Sequence, residues 1–342
     1  MLIRIAAAAL ATYMSIATAR AAPRFIDPWP DARQARGVQV EDVHFTSSDA
    51  FAPEDLGHAP ARDVRAMLFL PADAKPAHPV PAVVLLHGSA GNAVERGERY
   101  GEPLAAMGVA VLVIETYASR PDLGSSYLTR VLNITETMFV ADAYAGLRYL
   151  SVHPEIDARH TALIGFSYGG MATTYALYAQ MADKVAPPGL RFVGHVAYYA
   201  PCIARFRDSR TTGAPLLMLY GQDDQLIDPK RCDQVADDLR GGGSVVQIIS
   251  YSGAVHQWDG EMPRGVIGRH LAGCSFTVNR DGAVSDANTG LPMSGPFLRK
   301  VILALCTGGR PYPIGRDQSV VNRSNHELGV FLSRVFALPP TG

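Results

Sequence analysis

Short apolar stretches rich in β-branched residues recur along the chain at strand length, over 64–70, 82–86, 109–114, 162–166, 193–199, 216–220 and 245–249. Most are continuous rather than alternating, which is the pattern of parallel strands covered on both faces. The first one or two are candidates for antiparallel edge strands. Helical spacing fills the intervals at 94–107, 131–150, 170–181 and 229–239. The last of these opens on Asp228-Pro229, an N-cap aspartate followed by proline at the first helical position. Strands alternating with helices predict an α/β fold: a doubly wound, mostly parallel sheet of about eight strands, with ligand sites at the strands' carboxyl ends. Residues 262–325 break the rhythm with frequent Gly, Pro, Asn and Asp. They read as an insertion, carrying one helix at 297–305, before a last helix at 327–336.

The amino-terminal residues follow another pattern. Arg4 precedes an apolar stretch over 5–16, and small residues follow at Ala17, Ala19, Ala21 and Ala22. This is the layout of a secretory leader over 1–21 with Ala-x-Ala cleavage sites. Residues 22–342 are then expected to form a single domain, beginning with a proline-rich surface segment at 23–37. No later stretch reaches 18 unbroken apolar residues, so no membrane span is expected in the mature protein. Lys and Arg number 31 against 32 Asp and Glu, with a net charge of −1. That balance leaves no electrostatic footprint for nucleic acid.

Export changes how the cysteines read. Cys202, Cys232, Cys274 and Cys306 form an even set in an oxidising compartment, where three pairings exist. Cys202–Cys232 with Cys274–Cys306 is the preferred one, the second closing the insertion; four buried free thiols are the alternative. No CxxC pair is present, which disfavours zinc.

The sharpest chemical signal is Gly165-Phe166-Ser167-Tyr168-Gly169-Gly170, after an apolar strand and at the start of a helix. A serine on such a tight turn projects its hydroxyl above the sheet, at the N-terminus of a helix whose amides and dipole favour a developing oxyanion. The acid and the histidine should follow in that order. Gly221-Gln222-Asp223-Asp224 ends one strand, with Asp224 preferred as the acid and Asp223 its rival; Asp228 is better read as the helix cap. His256 lies on the loop past the last strand, within Ser252-Gly253-Ala254-Val255-His256-Gln257-Trp258-Asp259. The oxyanion donors would be the backbone N–H groups of Tyr168 and of Ser89, in the turn His87-Gly88-Ser89-Ala90-Gly91. His87 itself reads as a brace for that turn. Tyr117 and Trp258, with Tyr168, are candidate walls of a substrate pocket. Arg120, after a central strand, is a candidate clamp for a substrate carboxylate or an organiser of the active-site loop.

These motifs resemble the dienelactone hydrolase family of the α/β-hydrolase superfamily. The resemblance runs from 64 to 259 plus the final helix, and rests on the His87-Gly88 turn, the strand end 113–120, the elbow at 165–170, the segment 221–229 and the Ser-Gly-Ala-x-His run. It implies an α/β-hydrolase fold with an insertion before the last helix. The founding enzymes carry a cysteine nucleophile where Ser167 stands, so the likeness is to serine-containing exported relatives. The implied function is a periplasmic or secreted serine hydrolase cleaving small-molecule esters or lactones through an acyl-enzyme, with no cofactor or metal. A peptidase or acyltransferase on the same fold, or a non-catalytic binding scaffold, are the competing readings.

Overall fold

The computed structural model describes residues 23–31, 33–268, 273–308 and 311–337. The expected leader lies outside the described residues. Strands β1 (Gln39–Ser48), β2 (Ala61–Leu70), β3 (Val80–Leu86), β4 (Ala110–Ile114), β5 (Ile156–Phe166) and β6 (Gly194–Tyr198) belong to one large sheet, while β7 (Ala204–Phe206) leaves it. Strands β8 (Leu216–Gly221) and β9 (Val246–Tyr251) complete the eight, in the order β1-β2-β4-β3-β5-β6-β8-β9. The pairs β1/β2 and β2/β4 are antiparallel, and every later pair is parallel. Strand β1 has no counterpart among the apolar runs. Only Val43, Phe45 and Ser47 turn inward from its exposed edge, an alternation that continuous apolar counting passes over.

Two helical layers cover the sheet. Among the described residues the α-helices are α1 (Ala93–Arg96), α2 (Glu102–Ala106), α3 (Tyr127–Asn133), α4 (Glu136–Leu150), α5 (Tyr168–Tyr175), α6 (Ala179–Val185), α7 (Pro229–Gly241), α8 (Pro296–Cys306) and α9 (Gln318–Ala337). Ala82, Val84 and Leu86 of β3 pack into the cluster that holds Phe139, Tyr144, Met171 and Leu239. Val83 and Leu85 pack into the other, with Leu104 of α2 and Leu328, Leu332 and Val335 of α9. This strict alternation is why β3 reads as one unbroken apolar run. Truncating any such leucine to alanine costs roughly 2–5 kcal/mol.

Three expected helices are divided in the structure. The segment 94–107 becomes α1, a π-helical turn (Gly97–Gly101) and α2, where Pro103 has no N–H to continue the ladder. The segment 131–150 breaks at Ile134-Thr135, where the Thr135 hydroxyl leaves the helix to donate to the Phe51 carbonyl at 2.7 Å. The segment 170–181 is α5 and α6 in sequence. The last helix begins at Gln318 rather than 327. Asp317 caps it, its carboxylate accepting from the N–H groups of Ser319 and Val320. The insertion accordingly ends at 317.

Within the insertion, β10 (Gly265–Ile267) pairs with β13 (Tyr312–Ile314), and β11 (Phe276–Val278) pairs with both β12 (Val284–Asp286) and β7, which follows β6 in the chain. Two disulfides, Cys202–Cys232 and Cys274–Cys306, join the loop after β6 to α7 and the start of β11 to the end of α8. They match the preferred pairing and point to an oxidising compartment. Among the described residues, no helix is long and apolar enough to cross a membrane.

Candidate active site

The site is built where β5 gives way to α5. Ser167 sits there at φ 50° and ψ −108°, outside the regions that L-residues occupy without strain. The turn closes only because its neighbours have no side chain. A Cβ at Gly165 would lie 2.1 Å from the Gly169 carbonyl oxygen, and one at Gly169 would lie 2.5 Å from that of His87. Strand, strained serine and helix together form the elbow expected from the sequence.

His256 Nε2 lies 2.9 Å from Ser167 Oγ, and its Nδ1 lies 2.7 Å from Asp224 Oδ2. A carboxylate only accepts, so Nδ1 carries the proton and Nε2 is left to accept from the serine. The second oxygen of Asp224 accepts from the Leu226 N–H at 2.9 Å, which fixes the carboxylate's plane. All three residues are buried: Ser167 is 7% exposed, Asp224 3% and His256 1%. Asp223 instead faces outward, more than half exposed and paired loosely with Arg264. Asp228 caps α7, accepting from the N–H groups of Lys230 and Arg231.

The first turn of α5 leaves backbone N–H groups without intrahelical partners, and the Tyr168 amide is among them. Ser89 and Tyr168 both line a narrow cavity of about 50 Å³ above Ser167, with Tyr127, Met171, Leu226 and Tyr312 among its other walls. None of the described residues lining it is Lys or Arg. A larger cavity of about 440 Å³ lies between Trp29 and Asn322 and includes none of Ser167, Asp224 and His256. His87 braces the Ser89 turn as expected. It accepts from the Tyr117 N–H and donates from Nδ1 to the Gly88 carbonyl at 2.7 Å. Burial pushes its pKa down to about 4, so it is neutral in the fold near pH 7.

Of the expected pocket residues Tyr168 lines the cavity, while the other three stand elsewhere. Arg120 is fully buried, with both Nη atoms on Asp142 at 2.8 Å and Nε on Asp49 at 2.8 Å. Its guanidinium is consumed by carboxylates of α4 and the loop after β1, so it organises the loop after β4 and does not face the cavity. Tyr117 packs beneath the Ser89 turn, its ring against His87, Phe139 and Tyr168. Trp258 is a core residue. Its ring lies among Tyr198, Tyr199 and Tyr251, and its Nε1 donates to Ser324 of α9 at 3.3 Å.

Two groups escape a reading of the sequence. Asp259, three residues past the histidine, pairs with Arg96 and accepts from the phenols of Tyr100 and Tyr199 at 2.6 Å. Burial alone would raise its pKa, but Arg96 and the two phenols hold it below the ordinary carboxylate range. Tyr199, at φ 36°, sets its ring edge-on to His256. Tyr312 comes from the insertion, and the Gly315 N–H donates to the His256 carbonyl at 3.0 Å, tying that segment to the histidine loop. Only the Asp beside Trp258 offers a local sign; the other partners are far away in sequence. Among the described residues, no group of three or more His, Cys, Asp or Glu stands together as a metal site.

Known proteins resemble this chain at two levels. The model of the dienelactone hydrolase family matches residues 64–269. No curated protein matches. A chain from Klebsiella pneumoniae subsp. pneumoniae MGH 78578, named as a dienelactone hydrolase, shares 18% identity at a TM-score of 0.49, over 65% of this chain and 89% of its own. A dienelactone hydrolase-like promiscuous phosphotriesterase from metagenomic libraries shares 19% at 0.48, over 64% and 84%. A thermophilic esterase from Thermogutta terrifontis shares 14% at 0.47, over 66% and 86%. The family match alone spans more than half of the chain, from β2 through the elbow and the strand-end aspartates to beyond His256. The chain belongs to the dienelactone hydrolase family.

Proposed function

We propose that this protein is an exported serine hydrolase that cleaves small, uncharged carboxylic esters or lactones through an acyl-enzyme. The observation that carries this reading is the unbroken chain Ser167–His256–Asp224, at 2.9 and 2.7 Å, with the serine on a strained elbow. Ser167 Oγ attacks the carbonyl carbon as its proton passes to His256 Nε2. Asp224 holds the imidazole by its Nδ1–H and stabilises the imidazolium. The carbonyl oxygen becomes an oxyanion between the amides of Tyr168 and Ser89, where each donor contributes about 3–4 kcal/mol to the transition state. The tetrahedral species then expels the alcohol, which takes the proton from His256. Water, deprotonated by the same nitrogen, attacks the acyl-enzyme and frees the acid.

The small cavity with no Lys or Arg in its described wall favours short neutral acyl groups, and the burial of Arg120 removes the candidate carboxylate clamp. Export is supported by the leader pattern together with the two disulfides.

The test is a panel of p-nitrophenyl esters, small lactones and carboxylate-bearing esters, run with wild type and Ser167→Ala, alongside a fluorophosphonate probe. Turnover and labelling are expected in the wild type only, with short neutral esters ahead of carboxylate-bearing ones. Labelling that persists in Ser167→Ala would overturn the assignment, and a preference for carboxylates would return a cation to the pocket.

A further inference from the structure

The insertion sends a charged side chain into the immediate surroundings of the elbow. Arg299 of α8 is 3% exposed, and its guanidinium ends on several elements at once. Nε donates to the Val131 carbonyl of α3 at 3.1 Å. Nη2 pairs with the Glu136 carboxylate of α4 at 3.1 Å and donates to the Tyr168 phenol oxygen at 2.9 Å. That phenol in turn donates to the Ile134 carbonyl at 2.9 Å. Both ends of Tyr168 are therefore committed. Its backbone directly follows Ser167 and begins α5, and its ring tip is pinned between Arg299 and Ile134. Only the two side-chain torsions separate them, so turning the peptide at Tyr168 strains or breaks the bonds at the ring tip.

We propose that Arg299 is a positioning residue for the reaction: through the Tyr168 phenol, the insertion holds the Tyr168 amide aimed at the place where the oxyanion forms. The proposal rests on the serine-hydrolase reading above. Two physical points favour positioning over bulk stability. A buried ion pair adds little net stability relative to a well-packed apolar pair, so the Arg299–Glu136 pair is weak as a stabiliser. An oxyanion donor, by contrast, acts only when it is preorganised at hydrogen-bond distance from the developing charge. The fork of Arg299 meets Val131, Glu136, Tyr168 and, at 3.4 Å, the Met293 sulfur, a set of fixed angles that a lysine does not match.

The test compares wild type, Arg299→Lys, Tyr168→Phe and the double variant. It reads the rate of fluorophosphonate labelling of Ser167, kcat and KM on the best ester found, and the melting temperature. Lysine keeps a cation beside Glu136, while phenylalanine removes only the hydroxyl and leaves the ion pair in place. Each single change is expected to slow labelling and kcat by about 10- to 100-fold, the loss of one partly misaligned donor, with KM nearly unchanged. The double variant is expected to be no slower than the slower single one, since both act through the same bond. If folded Arg299→Lys and Tyr168→Phe label at the wild-type rate and differ only in melting temperature, Arg299 is merely structural and the proposal falls. Losses that multiply in the double variant overturn it as well. Should Arg299→Lys fail to fold, Tyr168→Phe decides alone, a wild-type labelling rate counting against the proposal. Absence of Ser167 labelling in the wild type sinks the serine-hydrolase reading itself, a result distinct from all of these.

Discussion

Strands β3, β4, β6 and β8 are buried along their whole length, whereas the described residues of the insertion form three-residue strands and one helix whose ends include the exposed Phe297 and Leu305. In the core, position comes from hydrogen-bonded registers between two apolar layers. In the insertion it comes from point attachments: the Cys274–Cys306 disulfide, the Arg299–Glu136 pair, the β11/β7 pairing and the Gly315–His256 backbone bond. The proposed reacting groups stand on the first kind of structure, at strand ends. The groups that shape and steady their surroundings, Tyr312 and Arg299, stand on the second. The proposed chemistry thus stands on the sheet, while the insertion contributes one wall residue, Tyr312, to the cavity.

The comparison breaks most sharply at the acid. Asp224→Asn is expected to lower kcat by roughly ten-thousandfold, because an amide oriented toward Nδ1 favours the wrong imidazole tautomer. Asp223→Asn, an exposed neighbour on the same loop, should change kcat by no more than about twofold, as surface substitutions generally do. Steady-state kinetics of the two variants side by side measure this. Equal losses would mean that the strand end, rather than one carboxylate on it, supplies the function.

These two residues also show what a sequence reveals and what it hides. The elbow was legible because a strained turn restricts which residues can occupy it, and Gly165 and Gly169 record that restriction locally. Asp224 and His256 were legible because chain order and strand ends constrain them. Of the two roles open to Arg120, clamp or loop organiser, the sequence could not choose, because its position after β4 is equally compatible with facing the cavity or facing inward. What decides is Asp142, a residue of α4 that local spacing does not connect to it. Trp258 was misplaced for a similar reason: nearness to His256 along the chain says nothing of which layer receives the ring, and the α9 residue Ser324 receives it. The start of α9 was missed because its first turns are polar on one side, with Val320, Val321, Ser324 and Leu328 turned inward at helical spacing. The apolar runs of the core reported themselves, while contacts between distant segments left no mark.

Removing the insertion's cross-link gives the next largest effect. The Cys274–Cys306 bridge closes a loop of 32 residues, for which loop closure in the unfolded chain is worth about 3–4 kcal/mol. Replacing both cysteines by serine is expected to lower activity and to open the 262–317 segment to protease before the sheet melts, since β11 and α8 lose their direct tie. Limited proteolysis followed by mass analysis, run beside a thermal melt, checks the order. If the segment stays as resistant as in the oxidised protein, its short strands and Arg299 suffice without the disulfide.

Acid probes the core instead, through two buried histidines. His195 on β6 is fully buried, donates from Nδ1 to the Thr173 carbonyl at 3.0 Å, and is pushed by burial down to about 4. His87 is held at about 4 for the same leading reason. In the unfolded chain both titrate near 6.5. Between those values the unfolded state binds protons that the folded state refuses, so stability is complete above pH 6.5 and falls as the pH drops toward 4. The full loss is on the order of 3 kcal/mol for each histidine. Urea unfolding at pH 7 and at pH 5 should show this fall, and His195→Gln, which removes one of the two groups, should reduce its slope by about half. An unchanged slope would mean that the acid sensitivity arises elsewhere. A matching slope would leave the two regions with separate levers: protons acting on the apolar layers around the sheet, and thiols acting on the insertion that steadies the site from outside.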